Sequence, residues 1–188
     1  MRLYALCDFE TLVKNNISLS KFIEIVSLYN PHIIQYRDKI NPQTVQIENI
    51  TFLKKHTNIP IIINDNLELT TICDGLHIGQ EDLNKINKNH ELAIKLIRKK
   101  IGSKILGLST HNELEILEAN KLDLDYIGLG AYRGTNTKDV STILGDKLPY
   151  LAKISKHKVA AIGGIKLDDN IPNVYFHVIG SGLLGSKN

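Results

Sequence analysis

The chain is short of cysteine, proline and tryptophan: 188 residues include two cysteines, five prolines and no tryptophan. Cys7 and Cys73 lie far apart, without the spacing of a zinc site or a redox motif, so we expect two reduced, apolar side chains. No apolar run approaches the ~20 residues that a bilayer-spanning helix needs. The first six residues lack the apolar core and cleavage site of a signal peptide, and we therefore expect a cytoplasmic protein.

An excess of charge of one sign is also lacking, because 23 lysines and arginines stand against 20 aspartates and glutamates, for a net charge of +3. We expect neither nucleic acid nor a membrane as a partner from so small an excess. The densest basic stretch, residues 95–104, is typical of a solvated helix end. Length and composition predict one globular domain over residues 1–188 but do not separate an enzyme from a binding protein.

Eight short apolar segments alternate with amphipathic stretches. The segments that predict strands are residues 2–7, 33–37, 60–64, 75–78, 105–108, 126–129, 158–162 and 175–180. Several are almost purely apolar, such as residues 61–63, which indicates parallel strands covered on both faces. Repeated strand–helix units of this kind predict a TIM (β/α)8 barrel. A doubly wound open sheet is the alternative, and the lack of a glycine-rich turn after Leu6 argues against it.

The units are short for this architecture. They average ~23 residues, below the ~30 of a comfortable βαβ unit. Residues 168–173 leave space for barely one helical turn between the last two strands, and few residues follow the last strand. We therefore predict a compact barrel with shortened outer helices, especially the seventh and eighth.

Polar side chains follow the second, third and fourth predicted strands. Residues just past the carboxyl ends of barrel strands share one face, which holds the active site. Alternation places Gln35, Arg37 and Lys39 on one side of the chain, and such donors suit the oxygens of a polyphosphate. A solvated strand end explains this trio equally well. Asp65 and Asp82 follow the next two strands and together suggest a hard-oxygen site for Mg²⁺ bridged to phosphates.

The fifth and sixth strands end in hydroxyl-rich segments. Ser109 and His111 suggest nucleophilic catalysis, but neither an oxyanion hole nor an orienting acid is visible, so we expect Ser109 to donate a hydrogen bond to substrate. The loop over residues 131–138 ends in Lys138 and is typical of loops that close over ligands. A mobile surface loop is the alternative interpretation.

Glycines follow the seventh and eighth strands. Gly163, Gly164 and Gly180 leave backbone N–H groups open to an anion, the usual phosphate site of this fold. The residues at the strand ends therefore suggest a ligand with two anionic ends. One end is a diphosphate held with Mg²⁺, and the other is a monophosphate. A transferase that joins two phosphorylated small molecules is the natural interpretation.

Seven motifs together resemble thiamine phosphate synthases, which share a superfamily with the thiazole tautomerases. They are Gln-x-Arg-x-Lys at 35–39, Ile-Asn-Asp at 63–65, Gly-Leu-His-Ile-Gly-Gln-Glu-Asp at 75–82, Gly-Leu-Ser-Thr-His at 107–111, Asp-Tyr-Ile-Gly-Leu-Gly at 125–130, Thr-Asn-Thr-Lys at 135–138 and Ala-Ile-Gly-Gly-Ile at 161–165. The resemblance implies a Mg²⁺-dependent transferase of thiamine biosynthesis. Such enzymes join the diphosphate of 4-amino-5-hydroxymethyl-2-methylpyrimidine to a thiazole phosphate and release pyrophosphate.

The resemblance also assigns roles to residues. Those implied to bind the pyrimidine diphosphate are Gln35, Arg37, Lys39, Asn64, Ser109 and Lys138, of which Arg37, Lys39, Ser109 and Lys138 would be catalytic. Those implied to bind the thiazole phosphate are Thr135, Thr137, Gly163, Gly164, Gly180 and Ser181. Those implied to hold Mg²⁺ are Asp65 and Asp82. The metal and the cations would stabilise departing pyrophosphate, so no protein nucleophile is needed.

Three features leave alternatives open. His111 occupies the position of the proton-transfer histidine of the related thiazole tautomerases, although the acidic pair and the Thr-x-Thr-Lys stretch favour the synthase. Ala131 and Gly134 replace prolines that are usual in synthases, so a less rigid loop is expected. Gly180 replaces a branched apolar residue, and the shortened helices also allow a non-catalytic binding protein. The sequence does not indicate the oligomeric state.

Overall fold

The structure, a computed structural model, describes residues 2–134 and 143–185. Within them eight parallel strands close into a barrel in the order of the sequence. The strands are β1 (Leu3–Asp8), β2 (Ile33–Arg37), β3 (Ile61–Asn64), β4 (Gly75–Ile78), β5 (Ile105–Thr110), β6 (Tyr126–Gly130), β7 (Lys158–Ile162) and β8 (Phe176–Ile179). The predicted barrel is confirmed, and the open sheet is wrong because β8 pairs with β1. The prediction of one domain over residues 1–188 stays a prediction.

Helices in the described residues cover the outside of the strands. They are α1 (Phe9–Lys14), α2 (Leu19–Ser27), α3 (Gln43–His56), α4 (Gln80–Ile86), α5 (His90–Ile101), α6 (Glu113–Ala119) and α7 (Leu148–Ile154). Short 3₁₀ turns lie at Leu67–Thr71, Gly145–Lys147 and Ser181–Leu183. Helix α2 begins where Ser18 accepts a hydrogen bond from the Lys21 N–H, and Asn112 caps α6 in the same way, as expected of these residue types. None of the helices in the described ranges is long and apolar enough to cross a membrane.

Sequence patterns missed α1, which follows β1 without a connecting loop. Asp8 ends the strand and caps the helix, because its carboxylate accepts the Thr11 N–H at 3.0 Å. Six residues are too few to show a helical period, so only the capping aspartate marked this helix in the sequence.

The expected shortening is found in the connections after β7 and β8, and also between β3 and β4, where the described residues form the 3₁₀ turn Leu67–Thr71. Between β7 and β8 the described residues form bends and turns, and after β8 they form the 3₁₀ turn Ser181–Leu183. The side chains of β8 still alternate: Phe176 and Val178 lie in the cluster that fills the barrel interior, and His177 points outward from the strand.

His177 is buried without a hydrogen-bonding partner. It is 5% exposed, and within the described ranges neither ring nitrogen has a hydrogen-bond partner. Burial disfavours the charged imidazolium and lowers the pKa of His177, although the Asp169 carboxylate opposes that shift. The outer face of β8 therefore carries a polar side chain at a site that an apolar one would fill without this cost.

We expect His177→Leu to stabilise the fold, and to do so more at pH 5 than at pH 8. His177 binds a proton more tightly in the unfolded state than in the folded state. The free energy of unfolding of the wild type is therefore expected to fall as the pH drops below about 6.5. Urea unfolding at both pH values measures the difference, with about 1 kcal/mol expected at pH 8. The same substitution at exposed His56 is the control. An equal effect of the two substitutions at both pH values contradicts the prediction.

Candidate functional site

A cavity of about 880 Å³ opens at the carboxyl ends of the strands. Such a volume suits small-molecule ligands. The predicted site residues that line it are Gln35, Arg37, Asn64, Ser109, Gly163, Gly164, Gly180 and Ser181. They follow or end strands β2, β3, β5, β7 and β8, so strands distant in sequence contribute to one space. Thr135, Thr137 and Lys138 lie outside the described residues.

Arg37 is held at the cavity by a carboxylate that the sequence did not single out. Its Nη1 donates to Oδ1 of Asp8, the residue that pairs with it in register between β1 and β2. The Asp8 side chain is buried, and its other oxygen accepts hydrogen bonds from Thr11. The sequence could have indicated Asp8, because it ends the first strand and the carboxyl ends of the strands share the face on which Arg37 lies.

Polar contacts join β2 to β3 beside Arg37. Gln35 is almost fully buried, and its Nε2 lies 3.4 Å from Asn64 Oδ1. Asn64 Nδ2 donates to Asp65 Oδ2 at 2.6 Å, and Lys39 Nζ donates to the same oxygen at 2.5 Å. Four of the residues predicted from the two strand ends therefore form one connected network.

Hydrogen bonds favour the ionised form of Asp65 in spite of its partial burial. Burial opposes the charge, but hydrogen bonds from Lys39 Nζ and from the Gly79 N–H, the latter at 3.0 Å, lower the pKa of the carboxyl. Asp65 also has a φ of 60°, a left-handed conformation that aspartate and asparagine tolerate better than other side chains. The chain therefore keeps a negatively charged residue in a conformation that few side chains adopt, directly after β3. Asp65, Asp82 and Lys39 are predicted site residues, but they are not among the residues that line the cavity.

The two predicted metal ligands face a common space beside Gly79. A Cβ built on Gly79 lies 3.7 Å from Asp65 Oδ1 and 3.8 Å from Asp82 Oδ2, so the missing side chain leaves a gap between the carboxylates. Lys85 occupies the other Asp82 oxygen at 2.7 Å. Within the described ranges no cluster of three or more candidate ligands forms. Two carboxylates still suit Mg²⁺, which commonly binds one or two of them together with waters and substrate phosphates.

The glycine pair after β7 has a conformation that other residues rarely adopt. Gly163 and Gly164 have φ values of 90° and 62°. A Cβ on Gly163 would lie 2.4 Å from the Ala131 Cβ, and one on Gly164 would lie 2.7 Å from the Arg133 Cβ. The backbone of this turn therefore approaches the residues after β6 as closely as glycine allows. The phosphate site at these glycines stays a prediction.

Arg133 ties the end of β6 to that turn. Its guanidinium forms a fork on Asp169, with distances of 2.6 and 2.9 Å, and Nη1 also donates to the Gly164 carbonyl at 3.0 Å. Arg133 lowers the pKa of Asp169. The Tyr132 N–H donates to Ile162 O at 2.8 Å. These bonds hold the start of the loop although Ala131 stands where prolines were expected.

Ser109 bonds to His77 and not to His111. His77 Nε2 lies 2.9 Å from Ser109 Oγ, and its Nδ1 lies 2.8 Å from the Tyr126 hydroxyl. The partner of His77 Nδ1 is thus the Tyr126 phenol and not a carboxylate. Burial raises the pKa of this phenol well above its usual value. The orienting acid that a serine nucleophile needs is not at this position.

His111 lies at the cavity wall, where the sequence left a tautomerase role open. Its Nδ1 is 3.0 Å from Glu115 Oε2, and the same oxygen accepts the His111 backbone N–H at 2.8 Å. The ring is partly exposed and is fixed to the start of α6.

The sequence matches the thiamine monophosphate synthase family over residues 3–180. It is 36% identical over 140 residues to a thiamine-phosphate synthase of Persephonella marina and 34% identical over 152 residues to one of Chloroflexus aurantiacus. The alignments cover 71% and 76% of this chain, and 63% and 65% of the two relatives. The chain therefore spans just under two thirds of the length of these relatives.

The fold has a solved counterpart. A thiamine phosphate pyrophosphorylase of Pyrococcus furiosus superposes with a TM-score of 0.78, over 99% of this chain and 88% of that chain. The two sequences are 22% identical, so the likeness is one of fold.

Proposed function

The chain belongs to the thiamine monophosphate synthase family, and from this premise we propose that it is a Mg²⁺-dependent transferase. Its substrates would be the hydroxymethylpyrimidine diphosphate and the hydroxyethylthiazole phosphate, and its products thiamine phosphate and pyrophosphate. The observation that carries the proposal is the pair of carboxylates, Asp65 and Asp82, each with an oxygen within 4 Å of the position that a Cβ on Gly79 would take, while Lys39 bonds to Asp65. Such a site suits a departing diphosphate, which needs positive charge and oxygen ligands for a metal.

The proposed reaction breaks the bond between the pyrimidine methylene carbon and the diphosphate oxygen, and that oxygen keeps the electron pair. Mg²⁺, held by Asp65 and Asp82, would neutralise charge on the diphosphate. Arg37 would donate hydrogen bonds to the diphosphate from a fixed position, because Asp8 already holds its guanidinium in place. The lone pair of the thiazole nitrogen then forms the new bond to the methylene carbon, and pyrophosphate leaves.

The other side of the cavity would position the acceptor. Gly163 and Gly164, with Gly180 and Ser181 beside them, would bind the thiazole phosphate through backbone N–H groups. Holding the thiazole nitrogen near the methylene carbon makes the capture effectively unimolecular. A cytoplasmic location, and the absence of nucleic-acid and membrane partners, stay predictions.

Release of pyrophosphate tests the proposal directly. Purified chain with both substrates and Mg²⁺ is expected to release pyrophosphate and form thiamine phosphate. Excess chelator is expected to stop the reaction, and omission of the thiazole phosphate to prevent thiamine phosphate formation. Binding of both substrates without any turnover would identify a non-catalytic binding protein and reject the proposal.

The second candidate, isomerisation of a thiazole carboxylate phosphate, is favoured by one observation. Glu115 holds Nδ1 of His111 at the cavity wall, an arrangement that would orient the other ring nitrogen for proton transfer. This activity predicts metal-independent tautomerisation that is lost in His111→Ala. The facing carboxylates favour the transferase, since proton transfer by a histidine needs no metal.

A further inference from the structure

The interior of the barrel contains a row of hydrogen-bonded side chains that ends at the cavity. Tyr4 and Tyr126 join through their hydroxyls at 2.9 Å, Tyr126 bonds to His77 Nδ1, and His77 Nε2 bonds to Ser109 Oγ. The His77 and Tyr126 rings are stacked, with centroids 5.6 Å apart. These four side chains come from β1, β4, β5 and β6.

Two glycines make space for the stacked rings. A Cβ on Gly107 would lie 2.1 Å from Tyr126 Cζ, and one on Gly128 would lie 3.0 Å from His77 Cε1. The rings therefore occupy volume that side chains of β5 and β6 would otherwise fill, which leaves them little freedom to rotate. The positions of the bonded atoms are thus set by packing, and the remaining choice is the direction of each bond.

The two ends of the row differ in their surroundings. Tyr4 is 1% exposed in an apolar cluster, and among the described residues its hydroxyl has one polar partner, Tyr126. Ser109 lines the open cavity, and among the described residues its hydroxyl has one hydrogen-bonding partner, His77. A row of this kind has one hydrogen left over, and the direction of the bonds decides at which end it lies.

One direction places the left-over hydrogen in the apolar interior. If Ser109 donates to His77, then His77 donates to Tyr126, Tyr126 donates to Tyr4, and the Tyr4 hydrogen has no acceptor. A buried donor without a partner carries its full desolvation penalty. The opposite direction uses every interior hydrogen and leaves that of Ser109 at the cavity, where a ligand or water can accept it.

From this asymmetry we propose that Tyr126 is a positioning residue: it donates to His77 Nδ1, holds His77 as the Nε2–H tautomer, and thereby keeps the Ser109 hydroxyl hydrogen free for an anionic ligand oxygen. Burial raises the pKa values of both tyrosines, so their hydroxyls keep the hydrogens that this order needs. The inference rests on the proposed function for the identity of the ligand, a diphosphate, but the tautomer is a property of the protein alone.

The tautomer is measured by ¹⁵N NMR of histidine-labelled protein without substrate. His77 is assigned by the loss of its signals in His77→Asn. We expect the Nε2–H form in the wild type and in Tyr4→Phe, because in that variant His77 is still the only acceptor for the Tyr126 hydrogen. In Tyr126→Phe the hydrogen bond from Tyr126 to Nδ1 is lost, and a larger share of the Nδ1–H tautomer is expected. A wild type with the Nδ1–H form, or with both nitrogens protonated, overturns the inference even if Tyr126→Phe does not fold.

Kinetics give the second measurement. Tyr126→Phe is expected to lower kcat about tenfold, less than the loss of an entire hydrogen-bond donor, and to leave the KM of the thiazole phosphate unchanged. Added to Ser109→Ala, the same substitution is expected to have no further effect on kcat. Additive losses in the double variant overturn the inference.

The two proposals fail separately. A wild type that releases no pyrophosphate but shows the Nε2–H tautomer rejects the proposed function and leaves the hydrogen-bond order standing. An active wild type with the reversed tautomer rejects the role of Tyr126 and leaves the transferase standing.

Discussion

Asp65→Asn is expected to lower the rate of pyrophosphate release by about a thousandfold or more, since metal-borne stabilisation of a departing diphosphate contributes several kcal/mol. The substitution removes a ligand charge from the gap beside Gly79 and the partner of Lys39. Asparagine is preferable to alanine here, because the φ of 60° at this position strains most side chains and asparagine tolerates it. The expected loss of rate is therefore caused by removal of the carboxylate charge and not by a change of backbone conformation.

Two further variants complete the measurement of initial rates against Mg²⁺ concentration. Asp82→Asn is expected to raise the Mg²⁺ concentration that gives half-maximal rate, because it removes the second carboxylate of the pair. Glu118→Gln, a carboxylate on the outer surface of α6, is the matched control. Melting temperatures show whether each variant is folded. If Asp65→Asn is folded and keeps the wild-type rate and Mg²⁺ dependence, the metal assignment is wrong.

Gly107→Ala is expected to destabilise the barrel by about 3 kcal/mol, at the upper end of the range for an overfilled core. Gly107 pairs with Tyr126 between β5 and β6, and a methyl group on it would overlap the tyrosine ring. Tyr126 cannot move aside easily, because its hydroxyl is bonded on both sides and the ring is buried. For a chain of this length the melting temperature should fall by about 6–12 °C.

A second-site substitution tests the cause of that loss. Tyr126→Leu removes the ring that the new methyl group would meet, so the double variant should lose less stability than the sum of the two single changes. Gly134→Ala is the control, since among the described residues the nearest neighbour of its Cβ would be Ile143 Cδ1 at 3.9 Å. Strict additivity of the first two substitutions would show that the ring does not cause the strain.

The strands and the face that holds the site were readable in the sequence because both follow from local patterns. Apolar segments of four to six residues marked each strand to within one or two residues, and alternation by two placed Gln35 and Arg37 on the cavity side. Ser18 and Asn112 begin α2 and α6 by capping, an interaction that depends on neighbouring residues only.

Contacts between strands that lie far apart in the sequence could be identified only in the folded barrel. Nothing local to Arg37 shows that Asp8 holds it, and nothing local to His77 shows that Tyr126 and Ser109 bond to its two nitrogens. Such contacts depend on the register and closure of the barrel, to which every strand contributes. The barrel and its family were predictable from local patterns and motifs, and the same motifs named the residues expected to bind the diphosphate. Which side chains hydrogen-bond to Arg37 and His77 depends on distances in the packed barrel, and no sequence pattern contains those distances.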